Sequence, residues 1–205
     1  MDAIDAAFTC VRQLCILYHI DESHAMKHSM DVLHHTAKSY EFHVARHPYL
    51  VQQRHVLFAA AIVHDMCDTK YVDQLVGLRA IHDHLHPFLS PEEFNALALI
   101  ITTMSYITVK EKGFPTMDEW QLGYHMVREA DLLAAYDIDR FILYGIYRKN
   151  MSYSEALVNS GTIFRNRVLR YIEDRLFVTE YGLSTAHDLH GRALLNVLPH
   201  TLANI

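Results

Sequence analysis

An uninterrupted apolar run that ends in a histidine and an aspartate constrains the fold more than any other feature of this chain. Residues 56–63 read VLFAAAIV. A helix built from them is apolar on every side and belongs in the centre of a helical bundle. His64 and Asp65 follow directly. Because burial of an unpaired carboxylate is costly, Asp65 requires a cation, strong hydrogen-bond donors or an exposed cleft floor.

The rest of the chain favours an all-α fold in a single domain over residues 1–205. Helical periodicity continues almost throughout, and the 205 residues include only 7 glycines and 5 prolines. No segment resembles a strand. We predict helices over about 2–18, 24–47, 50–66, 72–85, 91–104, 116–135, 138–149, 154–177 and 184–203.

Local signals predict where several of these helices begin. Asp21-Glu22-Ser23 is suited to capping the second helix, which Pro48 should end. Ser90-Pro91 with Glu93, and Thr116 with Glu119, are typical of capping boxes. The clearest loop is Lys110-Glu111-Lys112-Gly113-Phe114-Pro115.

Composition excludes several functional classes. The formal charge is −6 and no Lys/Arg-rich run occurs, which argues against a nucleic-acid polymer as partner. The three cysteines have no CxxC spacing, so neither a disulfide framework nor a thiolate zinc site is indicated. The acidic start and the lack of an apolar run of roughly 20 residues argue against a membrane. We expect a cytoplasmic protein.

Two further residues join His64 and Asp65 as candidate metal ligands. His28 lies at the margin of the apolar stripe of the second helix, and Asp131 at the edge of an apolar arc in its own helix. Taken singly, each has a structural explanation: a backbone-bonded imidazole for His28, and a salt bridge to Arg128 or a helix N-terminus for Asp131. Together, two imidazoles and two carboxylates suit one divalent ion such as Mn, Mg, Co, Fe or Zn.

The order of these motifs resembles the HD superfamily of metal-dependent phosphohydrolases. The segments SHAMKH (23–28), AIVHDMCDTK (61–70) and READLL (128–133) look like its first, namesake and last motifs. The resemblance covers about residues 19–147 and leaves 150–205 as a C-terminal helical extension. It implies an HD-type helical bundle with His28, His64, Asp65 and Asp131 as metal ligands. It also implies a small phosphorylated substrate, such as a nucleotide.

Other residues receive roles in catalysis or substrate binding. Asp68 lies three residues after Asp65 and shares its face if the helix continues that far; in nucleotidase members of the family an acidic residue here positions the attacking water. We therefore predict Asp68 as the base, with a solvated carboxylate as the alternative. Predicted substrate contacts are His24, Lys70, Asp73 or Tyr71, Ser105, Tyr106 and Arg128.

Three alternatives stay open at this stage. The chain could be a non-catalytic HD module that binds a nucleotide or a partner protein. It could also be an HD-type di-iron oxygenase, if His82, His84 and His86 bind a second metal instead of forming a polar helix end. The third possibility is a homodimer, because the C-terminal helices either close the core or pair with a second subunit. We expect them to pack within the chain through Phe164, Val168, Tyr171, Ile172 and Leu176.

Overall fold

α-Helices form nearly all the regular structure of the computed structural model, which describes residues 2–196. This confirms the all-α prediction, and no strand occurs within that range. Three short 3-10 helices, His64–Cys67, Asp118–Trp120 and Val168–Arg170, complete the structure. The last part of the final predicted helix, 197–203, lies outside the described residues. The α-helices are α1 (Ala3–Leu17), α2 (Met26–His43), α3 (Leu50–Val63), α4 (Gln74–Leu85), α5 (Pro91–Thr103), α6 (Tyr106–Lys112), α7 (Gln121–Ala134), α8 (Asp139–Lys149), α9 (Tyr153–Asn166) and α10 (Glu180–Asn196).

Helix α3 lies at the centre of the bundle, as the apolar run predicts. It packs against α1, α2, α5 and α7. Every residue from Val56 to Val63 is buried, and Phe58 has the largest exposed fraction at 6%. The chain leaves this helix through the 3-10 helix His64–Cys67, whose four residues are also buried. The fold thus delivers His64 and Asp65 into the protein interior.

Some capping predictions are confirmed and others are wrong. The Ser90/Glu93 capping box does open α5. The predicted Thr116/Glu119 box does not form: a 3-10 helix precedes α7, and the Met117 N–H donates to the Gln121 side chain instead. The predicted loop over 110–115 begins three residues late, because α6 continues to Lys112 and ends at Gly113, whose φ of 74° favours glycine.

The helix boundaries near the metal-ligand candidates also differ from prediction. Helix α2 begins at Met26 with no side-chain cap, because Asp21 and Ser23 bond to Tyr71 and His24 instead. It ends at His43, before Pro48. The third predicted helix, 50–66, divides into α3 and the 3-10 helix that follows it. The predicted helix 154–177 ends at Asn166.

Two apolar clusters share helix α7. The larger one is formed by α1 to α5 together with one face of α7. The smaller one joins Leu132 and Leu133 to buried residues of the C-terminal part, among them Phe164, Val168, Tyr171 and Leu176. These C-terminal residues therefore close the core within the chain, as expected. None of the described helices is long and apolar enough to cross a membrane.

Candidate metal centre

Three parts of the fold converge on four metal-ligand candidates. Helix α2 carries His28, the 3-10 helix after α3 carries His64 and Asp65, and α7 carries Asp131. His28 Nε2 lies 3.1 Å from His64 Nε2 and 3.4 Å from Asp65 Oδ2. Asp131 Oδ1 lies 3.2 Å from His28 Nε2 and 3.7 Å from His64 Nε2. The imidazoles are 4% and 3% exposed and the carboxylates 12% and 17%.

The spacing of these atoms fits a metal ion. Donor atoms at about 2.1 Å from a shared metal stand roughly 3.0 Å apart at octahedral angles and about 3.4 Å apart at tetrahedral ones. Ligand atoms of His28, His64 and Asp65 all lie within 4.8 Å of one another. The His64 Nδ1–H donates to the Ala61 carbonyl at 2.9 Å, which leaves Nε2 to face the cluster. These three residues could hold a metal ion.

The local electrostatics favour a cation between the imidazoles. Burial alone would lower the pKa of His64, but the Asp65 and Asp131 carboxylates raise it to about 9. Burial and the Arg140 charge lower the pKa of His28 to about 4. Burial alone would raise the pKa of Asp65, yet the charges around it hold that pKa well below its usual range. The opposite shifts favour a charged His64 beside a neutral His28, so this part of the cluster attracts positive charge.

Arg140, which the sequence analysis missed, bridges the two carboxylates. It lies in the first turn of α8 and donates to Asp65 Oδ2 at 3.1 Å and Asp131 Oδ1 at 3.2 Å. Its Nε also donates to the Ser23 carbonyl at 2.8 Å. Because each carboxylate oxygen has two lone pairs, these bonds leave Asp65 and Asp131 able to face the imidazoles. Arg140 thus orients both carboxylates.

A second group of possible ligands adjoins the first and shares Asp65. Ligand atoms of His24, Asp65 and Asp68 lie within 4.8 Å of one another. The expected helical continuation to Asp68 is absent, but a 3-10 helix has three residues per turn and keeps positions 65 and 68 on one side. Lys70 Nζ lies 2.8 Å from Asp68 Oδ2 and 3.5 Å from His24 Nε2.

A chain of hydrogen bonds from Asp21 holds the His24 ring. The Ser23 hydroxyl donates to Asp21 Oδ1 at 2.5 Å, and the Tyr71 hydroxyl donates to Oδ2 at 2.6 Å. Both hydroxyl oxygens also contact His24 Nδ1, at 2.6 and 3.0 Å. Burial lowers the pKa of His24 to about 3, so the ring is neutral. Asp21 and Ser23 were predicted only as helix caps.

A small cavity lies beside the cluster and adjoins a larger one. A cavity of about 30 Å³, enough for a water molecule, is bordered by His28, Arg140 and Lys27. A larger cavity of about 340 Å³ shares Lys27 with it and also contacts Arg192. Lys27 lies between them, paired with Asp31 at 2.8 Å and with Asp137 at 3.0 Å. The larger cavity has the size of a small-molecule pocket.

Four of the predicted substrate contacts have other partners in the structure. Asp73 caps α4, and Ser105 caps α6. The Tyr106 ring packs in the smaller apolar cluster. Arg128 is 1% exposed and pairs with Glu129 at 3.1 Å, so it offers no surface to a substrate. Their predicted role finds no support, whereas His24 and Lys70 do lie at the cluster.

The histidines considered for a second metal point elsewhere. His84 Nδ1 donates to the Ala80 carbonyl, and its Nε2 bonds to Gln13 of α1. His86 Nδ1 bonds to the Asp83 carbonyl, and its ring stacks on His82. Within residues 2–196, neither of the groups that could hold a metal includes any of the three. They form the polar end of α4, the alternative that the sequence left open, and in this arrangement they do not converge on a second metal site.

Comparisons with known proteins add no relative. No family model, no curated protein and no solved structure matches this chain. Its functional interpretation therefore depends on the residues and their geometry.

Proposed function

We propose that this protein is a metal-dependent phosphohydrolase that acts on a nucleotide or another small phosphate ester. The observation that carries this proposal is the convergence of two imidazoles and two carboxylates, from three parts of the fold, at one buried point. His28, His64 and Asp65 would hold one divalent ion, with Asp131 as the fourth ligand. The motif resemblance to the HD superfamily supports the same assignment.

A divalent ion at this point would polarise a phosphoryl oxygen and lower the pKa of water. The chain's own part is to position the groups and to neutralise charge. Arg140 keeps Asp65 and Asp131 in place through two hydrogen bonds. It also borders the small cavity, which has room for a water molecule.

The role of Asp68 depends on the number of cations that the site holds. Its carboxylate lies within 4.8 Å of ligand atoms of Asp65 and His24. With a single cation, it would accept the proton of the attacking water, the role predicted from the sequence. With two cations, it is itself a ligand. Metal content of the Asp68→Asn variant separates the two roles.

The larger cavity has room for a small substrate. Its volume of about 340 Å³ matches a small molecule better than a polymer, and its wall carries the cationic side chains of Lys27 and Arg192 together with Asp31 and Asp137, which both pair with Lys27. The chain is acidic overall, with a formal charge of −6, so attraction for an anion must be local.

Metal analysis followed by phosphate release tests the proposal. Tag-free protein is analysed for bound metal and then incubated with a panel of nucleotides and Mn²⁺, Co²⁺ or Mg²⁺, beside Asp65→Ala and the control His84→Gln. We expect bound metal and phosphate release in the wild type and in His84→Gln, and neither in Asp65→Ala. Absence of metal from all three proteins would overturn the centre. Bound metal without release from any ester would instead favour a non-catalytic binding module.

A further inference from the structure

We propose that His24, Asp65 and Asp68 form a second cation site that shares the Asp65 carboxylate with the first. The inference rests on the proposed metal centre and deepens it from one cation to two. Ligand atoms of the three residues lie within 4.8 Å of one another. The hydrogen-bond network behind His24 gives a separate, independent reason to expect a cation here.

That network determines which nitrogen of His24 carries the hydrogen. Asp21 is an acceptor, and it receives the single hydroxyl proton of Ser23 and that of Tyr71. Neither hydroxyl therefore has a proton left for His24 Nδ1, although both oxygens contact it. Nδ1 must be the donor. In a neutral ring Nε2 then carries the lone pair, which is the arrangement found in metal-binding histidines.

The lone pair of His24 is buried and lacks a good donor. His24 is 6% exposed. The hydrogen-bonding neighbour of its Nε2 is Lys70 Nζ at 3.5 Å, a distance at the limit of a hydrogen bond. A buried acceptor with so long a hydrogen bond is only weakly satisfied. A cation bound by Nε2 and the two carboxylates would satisfy it.

Lys70 marks the position where this cation would bind. Its ammonium lies between Asp68 Oδ2 and His24 Nε2, so a positive charge already occupies the neighbourhood. The Lys70 side chain is 48% exposed, and a side chain with that freedom can turn into solvent. Lys70 and a metal ion are therefore expected to compete for the same ligands.

The ligand set indicates which cation is preferred. One imidazole and two carboxylates give a harder site than two imidazoles with two carboxylates, which favours Mn²⁺ or Mg²⁺. Two cations joined through Asp65 would stand close enough to contact a single phosphate group, an arrangement used for in-line displacement at phosphorus. This assigns the site a phosphate ester in which one phosphoryl group contacts both ions.

Manganese binding to the full-length chain tests this site. We expect two Mn²⁺ per chain, the second bound more weakly, with the spin-coupled EPR spectrum of ions that share a carboxylate. Asp68→Asn and His24→Gln should each retain the first ion and lose the second. Lys70→Met should strengthen the second by about 10-fold. Asp73→Asn is the matched control, because asparagine caps a helix as well as aspartate does.

The outcomes separate this inference from the proposed function. One Mn²⁺ per chain in both the wild type and Lys70→Met would overturn the second site, and so would two ions retained in Asp68→Asn. If only one Mn²⁺ binds and the His28→Gln variant loses it, the second site is overturned but the proposed first centre is not. Two coupled ions establish the second site whether or not any ester is hydrolysed. Circular dichroism of each variant excludes loss of the fold as the cause.

Discussion

His28 and His64 point their Nε2 atoms at each other across 3.1 Å, although 36 positions separate them in the chain. Two nitrogen lone pairs at that distance repel unless a proton or a metal ion lies between them. The Ala61 carbonyl accepts the hydrogen on His64 Nδ1, so this imidazole cannot relieve the contact by exchanging its nitrogens without losing a bond. Either a shared hydrogen or a metal ion therefore lies between the two nitrogens.

Removal of one imidazole should weaken metal binding strongly. We expect His28→Gln to lower Mn²⁺ affinity by more than about 100-fold, because loss of a direct ligand should exceed the 10- to 100-fold effect typical of outer-shell changes. Competition with a metal-sensitive dye measures the constant. His84→Gln, in which the lost ring bonds to Gln13 and the Ala80 carbonyl, should bind as the wild type does. Equal affinity in the two variants would contradict the assignment of His28.

Replacement of Arg140 should destabilise the protein most when metal is removed. Arg140→Met leaves two carboxylates without their shared donor, and loss of one partner of a buried pair costs about 3–5 kcal/mol. Bound Mn²⁺ should restore part of that loss. Urea unfolding in EDTA and in Mn²⁺ measures both values. Arg46→Met, which removes an exposed ion pair with Glu180, should cost under about 1 kcal/mol in either buffer. An equal loss of unfolding free energy for Arg140→Met in EDTA and in Mn²⁺ would refute the prediction that metal removal increases the effect of this substitution.

A glycine pair within α10 tests the packing of α7. A Cβ atom at Gly182 would overlap Glu129 Oε2, whereas one at Gly191 meets no atom within 4 Å. We expect Gly182→Ala to destabilise the fold by about 1–3 kcal/mol and Gly191→Ala to stabilise it by about 0.5–1 kcal/mol. Thermal and urea unfolding provide the comparison. Equal effects at both positions would mean that α10 does not contact Glu129.

His125 should contribute to acid sensitivity. Burial, with help from the Arg128 charge, lowers its pKa from 6.5 to about 4. Its Nε2 accepts from the Gln121 amide, whose oxygen is already engaged by the Met117 N–H, so protonation breaks this bond. Because the folded pKa lies below the unfolded one, stability is complete above pH 6.5 and declines as pH falls toward 4.

Unfolding free energies at pH 7.5 and pH 5 measure this contribution. We expect the wild type to lose about 1–2 kcal/mol more than His125→Gln between the two values. The histidines of the metal centre titrate in both proteins, so the difference isolates position 125. Parallel losses in the two proteins would exclude His125 as an acid-sensitive group.

The ligands of the first centre were predictable because each carries a local signal. His64 and Asp65 end an apolar run, and His28 and Asp131 lie at the edges of apolar stripes. Such patterns indicate where a helix faces the core. The distances between these four residues depend on how α2, α3 and α7 pack. Their proximity follows because the apolar faces of all three helices are buried in one core.

Other parts of the site were beyond the sequence because they depend on long-range partners. Arg140 reaches Asp131 because the chain turns between α7 and α8. In the sequence alone, an arginine in an amphipathic helix looks like any solvent-exposed residue. Asp21 and Ser23 are residue types that commonly cap helices. They do not cap α2 because Tyr71, 50 residues after Asp21, lies close enough to hydrogen-bond to Asp21. Asp73 is the reverse case, a local cap interpreted as a substrate contact.

Glu129 makes the part of the chain that carries the candidate metal ligands dependent on the C-terminal part. The carboxylate lies two residues before Asp131 and accepts hydrogen bonds from the Val178 and Thr179 backbone and from the Thr179 hydroxyl. A shortened protein ending near residue 150 would keep all four ligands of the first centre. It would also leave the buried Glu129 carboxylate without these hydrogen-bond donors and expose Leu132 and Leu133 to water. We expect such a fragment to be recovered as insoluble material.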